Sequence, residues 1–159
     1  MTVISNAGPL IALARIEQLD VLPALYGETV VPPAVREEVL GAERKGGSTL
    51  KAADWLRVEP VSDRTAVALL RERLDAGESE TIVLALELEA DVVLMDEARG
   101  RRIAASRGIS LTGTLGTLIL AKRRNFIERV KPLLADLKEQ GFHMGDALRQ
   151  QVLEEVGEG

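Results

Sequence analysis

The chain has 159 residues, 46% of them hydrophobic, which is enough for one domain with a core and too apolar for a disordered chain. It has no cysteine, which excludes a disulfide framework and thiolate metal sites and fits a reducing cytoplasm. A net charge of −5 and an aromatic content of 3% exclude a uniformly basic nucleic-acid binder and a base-stacking platform, so phosphates could be met only by local basic clusters. No apolar run is long enough to span a bilayer, and the first residues lack the basic-then-apolar build of a signal peptide.

In chain order, residues 2–6 predict a buried strand, and "PLIALARIE" (9–17) predicts a helix with Pro9 in its first position. "DVLPALY" (20–26) predicts a short second helix capped by Asp20. "ETVVPP" (28–33) predicts a strand stopped by its prolines. Residues 33–41 form a helix with Pro33 near its start and Gly41 as its stop, followed by a loop at 42–48, by composition the chain's most flexible. "WLRVEPV" (55–61) alternates like a strand, and 63–74 reads as an amphipathic helix. Residues 80–90 are apolar nearly all round, as in a helix buried on most sides. "DVVLMDE" (91–97) is a continuous apolar run with polar residues at its exit, the pattern of a parallel strand. A helix at 99–108 closes on Gly108, a short strand and turn follow at 109–114, and helices cover 115–123, 128–140 and 145–156. Strands alternating with helices imply a parallel sheet covered on both faces, and no linker or repeat divides the chain.

Sites in such sheets form outside the carboxyl ends of the strands. Asn6 closes the first strand, and Asp96 and Glu97 close the strand "VVLM". In the helix at 33–41, Val35 and Val39 mark the buried face. At about 100° per residue Glu38 falls beside that face and Glu37 points away. "LDAGESE" (74–80) puts Glu78 and Glu80 at the start of the buried helix. Asp75 and Glu78 also have the spacing of a capping box, and Glu80 can be read as an acid favoured by the helix dipole. Carboxylates converging on one cleft stay ionised together only beside a cation. Oxygen ligands, no cysteine and a single histidine point to Mg²⁺ or Mn²⁺ over zinc, and so to hydrolysis of a phosphodiester.

Two long stretches carry a family likeness. "VISNAGPLIALARIEQLDVLPALYG…VVPPAVREEV" resembles the opening of a PIN-domain protein, and "AGESETIVLALELEADVVLMDEARGRRIAASRGISLTGTLGTLILAKRRNFI" resembles its second half. The likeness is clearest over residues 2–140, with a C-terminal helix in 141–159, all within a single domain. It implies a three-layer α/β/α PIN-like fold with a parallel central sheet. It implies a Mg²⁺- or Mn²⁺-dependent ribonuclease whose acids map onto Asn6, Glu38, Glu78 and Asp96, with Glu80 and Glu97 in reserve. Glu38, Glu78 and Asp96 would be the metal ligands. Thr112 belongs to a turn, Thr112-Gly113-Thr114, that resembles the small polar turn near the family's site. The family's first acid is an Asp, and this chain has Asn6. An amide oxygen can bind Mg²⁺ but brings no charge and cannot act as a base. The likeness is greatest to an uncharacterised subgroup found beside small antitoxin-like partners, in which Asn is common here. It also implies a homodimer.

Arg99, Arg101, Arg102 and Lys122, Arg123, Arg124 could grip phosphates or be solvated helix faces. Nearness to the metal in the family fold favours Arg99 and Arg102 as RNA-binding residues. His143 reads as a surface residue and Trp55 as a core or strand anchor. A receiver domain is the best impostor, since "VVLMDEARG" resembles a phosphoacceptor strand and Lys131-Pro132 its Lys-Pro. It would need an acidic pair after the first strand, and Ser5-Asn6 is not one. A haloacid-type phosphatase would need a second Asp in "MDEAR", and "TGTLGTL" lacks the register of a dinucleotide loop. The competing function is a catalytically weak PIN-fold module that binds RNA or protein.

Overall fold

The computed structural model describes residues 1–43 and 53–159. Five short strands form one parallel sheet: β1 (Val3–Ser5), β2 (Thr29–Val31), β3 (Leu56–Val58), β4 (Val92–Leu94) and β5 (Leu111–Thr112). Their spatial order is β3-β2-β1-β4-β5, with Ile4 aligned to Val30 on one side and to Val93 on the other. The chain order reverses beside β1, so the crevice at the carboxyl ends of β1 and β4 is the topological switch point.

Side chains alternate across the pleat. Val3, Val31 and Leu94 point into one core, with α1 (Ala7–Arg15), α2 (Val21–Tyr26), α7 (Thr114–Arg123), α8 (Lys131–Glu139) and α9 (Asp146–Glu155). Ile4, Val30 and Val93 point into the other, with α4 (Arg64–Leu70), α5 (Ala76–Glu87) and α6 (Ala98–Ser106). Two covered faces explain why the strand segments read as continuous apolar runs, and the arrangement is the expected three-layer α/β/α fold. α3 (Pro33–Glu43) packs Val35 and Val39 into the first core while touching α5. Val152 and Leu153 bury the terminal helix in that core, whereas Leu148 stays exposed. Among the described residues no helix is long and apolar enough to cross a membrane.

Most departures from the sequence reading lie at helix ends. α1 begins at Ala7, so Pro9 is its third residue; the first turn needs no intrahelical donor, and the missing N–H costs nothing there. Asp20 precedes α2 with helical backbone angles and makes no side-chain cap. Gly41 lies inside α3, which runs on to Glu43, because glycine weakens a helix without stopping one that is held by packing. The rest of the predicted loop, 44–48, falls outside the described residues. The amphipathic helix stops at Leu70 in a turn, and its start is capped by Asp63, whose Oδ1 accepts from Ala66 N–H at 2.9 Å. Gly108 ends α6 as expected, in a left-handed conformation with φ of 77°.

Candidate active site

Asn6 and Asp96 leave adjacent strands at the switch point. The Asn6 N–H donates to the Leu94 carbonyl at 2.9 Å, continuing the β1–β4 ladder past its last paired residues. Asn6 then takes the N-cap position of α1 in an extended conformation, but its side chain caps nothing. A cap oxygen ordinarily accepts from the second or third helical N–H. Here the third residue is Pro9, which has none, and Gly8 N–H is not taken. Asn6 is 6% exposed, and its Oδ1 has no hydrogen-bond partner among the described residues. A buried oxygen without a donor costs about 1–3 kcal/mol, so a ligand that fills it is favoured.

The start of α5 faces this oxygen. A Cβ on Gly77 would sit 3.3 Å from Asn6 Oδ1 and 3.6 Å from Asp75 Oδ1, so the glycine leaves room beside both oxygens. Asp75 and Glu78 form the capping box in full. Glu78 N–H donates to Asp75 Oδ1 at 2.8 Å, and Asp75 N–H donates to Glu78 Oε1 at 3.2 Å. The other carboxylate oxygen of Glu78 turns toward α6, 3.0 Å from where a Cβ on Gly100 would stand. Glu78 is therefore a cap that keeps one carboxylate oxygen outside the capping box. Burial, then the hydrogen bond to the Asp75 side chain and the charges of Asp75 and Glu97, push its carboxyl up to about 7, while the Asp75 N–H pulls the other way. Desolvation and then Asp75 also raise Glu38. Asp75 is thus the acid that Glu38 and Glu78 share, and the sequence reading had treated it only as a cap.

Asp96 is held separately. Thr114 N–H donates to its Oδ1 at 2.8 Å, and the Thr114 hydroxyl donates to Oδ2 at 2.7 Å. Gly113 makes this approach possible, since a Cβ there would stand 2.6 Å from Asp96 Oδ1. Thr112 only lines the cleft and, through its carbonyl, accepts Met95 N–H at 2.9 Å. The polar turn noted in the sequence acts through its third residue. Glu97 is the exposed N-cap of α6 and makes no side-chain cap bond.

Glu80 is buried like Glu78 but turns elsewhere. Its carboxylate accepts the Ala34 N–H at 3.1 Å, capping α3, and meets Arg64 at 3.3 Å. Its charge serves the α3–α4–α5 junction. Arg99 and Arg102 line an open hollow of about 520 Å³ together with Arg73 and Arg107. Lys122 instead pairs with Glu158 at 2.7 Å, and Arg123 lies 3.7 Å from Glu155, so both serve the C-terminal packing. A cleft of about 900 Å³ opens beside Asp96, between α1, α6, α7 and the segment 140–143, with the exposed His143 on its rim.

Among the described residues no three Asp, Glu, His or Cys side chains stand close enough to hold an ion by themselves. The donors nevertheless suit a hard cation of the Mg²⁺ type. Mg²⁺ commonly takes one or two carboxylates and keeps several waters, and here a buried neutral oxygen on Asn6 lacks any partner. The chemistry of these oxygens suits a sparsely held, hydrated cation and not an all-protein cage.

A five-stranded parallel sheet with helices on both faces and polar residues at its switch point defines the class: a three-layer α/β/α domain. A family model described as a PIN domain matches residues 2–158, and the chain belongs to the PIN-domain family. Membership implies nuclease activity in general, and PIN domains typically use divalent metal ions. No curated protein matches the chain.

Proposed function

We propose that the chain is a Mg²⁺- or Mn²⁺-dependent ribonuclease that hydrolyses RNA phosphodiesters. The observation that carries this reading is the partnerless Asn6 Oδ1 beside Asp75, on the strand next to the one that ends in Asp96. The sequence likeness names Glu38, Glu78 and Asp96 as the ligands; since no three described acids already converge, they would close on the ion only as it binds, with Asn6 as a neutral ligand or the anchor of one of its waters. Bound there, the ion would supply an acidified water and offset charge on the phosphoryl group. The protein's own groups divide the remaining work. Thr114 fixes the orientation of Asp96, Glu78 would give up its proton to hold the ion, and Arg99 and Arg102 hold backbone phosphates. Arg73 and Arg107 in the same hollow support that last role.

The toxin role in a toxin–antitoxin pair, a small antitoxin-like partner, a homodimer and a cytoplasmic setting extend the sequence likeness to this chain. The whole of residues 1–159 would act as one such domain. One observation favours a second reading, a catalytically weak module that binds RNA or protein. Asn6 replaces a charge, and no three described acids converge. Cleavage of a labelled single-stranded RNA with Mn²⁺, by wild type and Asp96→Asn, separates the two. Turnover that Asp96→Asn abolishes supports the nuclease; RNA binding without turnover supports the module.

A further inference from the structure

Arg101 lies in the wall of the cleft beside Asp96, one turn into α6. Its Nη1 donates to the Met95 carbonyl at 2.7 Å, the carbonyl immediately before Asp96. The point where a Cβ on Gly113 would stand is 2.6 Å from Asp96 Oδ1 and 3.4 Å from Arg101 Nη1, so carboxylate and guanidinium crowd the same glycine. Yet no carboxylate among the described residues lies within 4.0 Å of the guanidinium. Arg101 is half-buried. Among the described residues its one hydrogen bond goes to a neutral carbonyl, so a half-buried cation near Asp96, but unpaired with it, keeps most of its donors turned to the cleft.

A neutral donor would satisfy Met95 as well. The charge needs a different explanation, and so do the donors left over, since a guanidinium has five N–H groups in a rigid fork suited to phosphate oxygens. The anchor on Met95 fixes the fork against the cleft at the end of the strand that delivers Asp96. We propose that Arg101 binds the non-bridging oxygens of the RNA phosphate that occupies the cleft beside Asp96. This rests on the ribonuclease reading and adds to it the residue that seats the phosphate. It is distinct from the Arg73–Arg99–Arg102–Arg107 hollow, which lies along the outer side of α6 and does not border Asp96.

The test uses the full chain, a short labelled single-stranded RNA, and the variants Arg101→Gln and Arg101→Lys. Binding is read by fluorescence anisotropy without metal in an Asp96→Asn background, over a range of salt. Losing one phosphate contact lowers the magnitude of the log–log salt slope by about 0.7 for a single strand. Arg101→Gln should show that drop and bind about tenfold more weakly, with its melting temperature within a few degrees of the parent. Arg101→Lys keeps a charge and a donor for Met95 but loses the fork, so it should keep the slope and recover part of the affinity. With Mn²⁺, kcat/KM in the otherwise wild-type chain should fall about a hundredfold for Gln and less for Lys. An unchanged slope and affinity in Arg101→Gln overturns the proposal, as does loss of melting temperature that Lys restores without restoring binding. A wild type that never cleaves overturns the ribonuclease reading alone, because the salt slope still decides for Arg101.

Discussion

Thr114 closes on both oxygens of Asp96, its backbone N–H on Oδ1 and its hydroxyl on Oδ2, at 2.8 and 2.7 Å. The clamp comes from the first residue of α7 and holds an acid at the end of β4, so it ties the two sides of the cleft. Thr114→Val keeps the shape and removes only the hydroxyl donor. Hydrogen bonds to charged groups are worth about 1.5–3 kcal/mol, so urea unfolding should show a loss on that order. Thr114→Ser should recover most of it. A Val variant as stable as wild type would mean that the hydroxyl leaves Asp96 in solution.

Glu78 sets a pH dependence whose sign is opposite to that of most paired acids. Its carboxyl is raised by burial and by its acidic neighbours to about 7, against 4.5 when unfolded. Between those values the folded protein holds a proton that the unfolded chain has lost. The contribution is fully present below the unfolded value and is lost as pH rises through about 7. The metal-free protein should therefore melt at a lower temperature at pH 8 than at pH 5.5, and Glu78→Gln should flatten that difference. An equally steep decline in Glu78→Gln would assign it to another group.

Glu158 behaves in the opposite way. Burial works against its charge, but Lys122 and the N–H groups of Val130 and Lys131 hold its carboxyl down at about 2. These bonds, at 2.7, 2.8 and 3.0 Å, fasten the segment after α9 to the end of α7 and the start of α8. The stabilisation is present above 4.5 and is lost as pH falls through about 2. Glu158→Gln should lower stability at pH 7 by about 1–2 kcal/mol, the loss of a partly exposed ion pair offset in part by bonds the amide can keep. The deficit should shrink at pH 3 in urea titrations. A deficit that is the same at both values would point to packing instead of charge.

Element order and strand identity were legible because both faces of the sheet are covered, which leaves continuous apolar runs such as Val92–Leu94 with polar residues at the exits. The same logic puts Asn6 and Asp96 just past the carboxyl ends of two neighbouring strands. Helix limits were less legible, since Gly41 continues α3 and Leu70 ends α4 for reasons of packing that local composition does not carry. Glu78 and Glu80 could not be separated by spacing, as both are buried on one helix start. What separates them is the N–H of Ala34 and the reach of Arg64, contacts made from other parts of the chain. Asp75 was hidden by its own role as a cap, whereas the Thr112-Gly113-Thr114 turn was legible and only which of its threonines meets Asp96 was not. The partnerless Asn6 oxygen did leave a sequence signal: Pro9 three residues on removes the N–H that an Asn cap would use.

The central claim, an acidic cleft that takes a divalent ion with Asn6 weakening it, is tested most directly by calorimetric titration of Mg²⁺ and Mn²⁺ at pH 8, where Glu78 is ionised. Wild type should bind one ion weakly, because a neutral amide replaces a charged ligand. Asp96→Asn should lose the binding. Asn6→Asp should tighten it by about tenfold or more, while lowering the melting temperature of the metal-free protein through an added buried charge beside Asp75. No heat at millimolar metal in wild type, with Asn6→Asp no better, would contradict the account and leave the fold as a scaffold for binding alone.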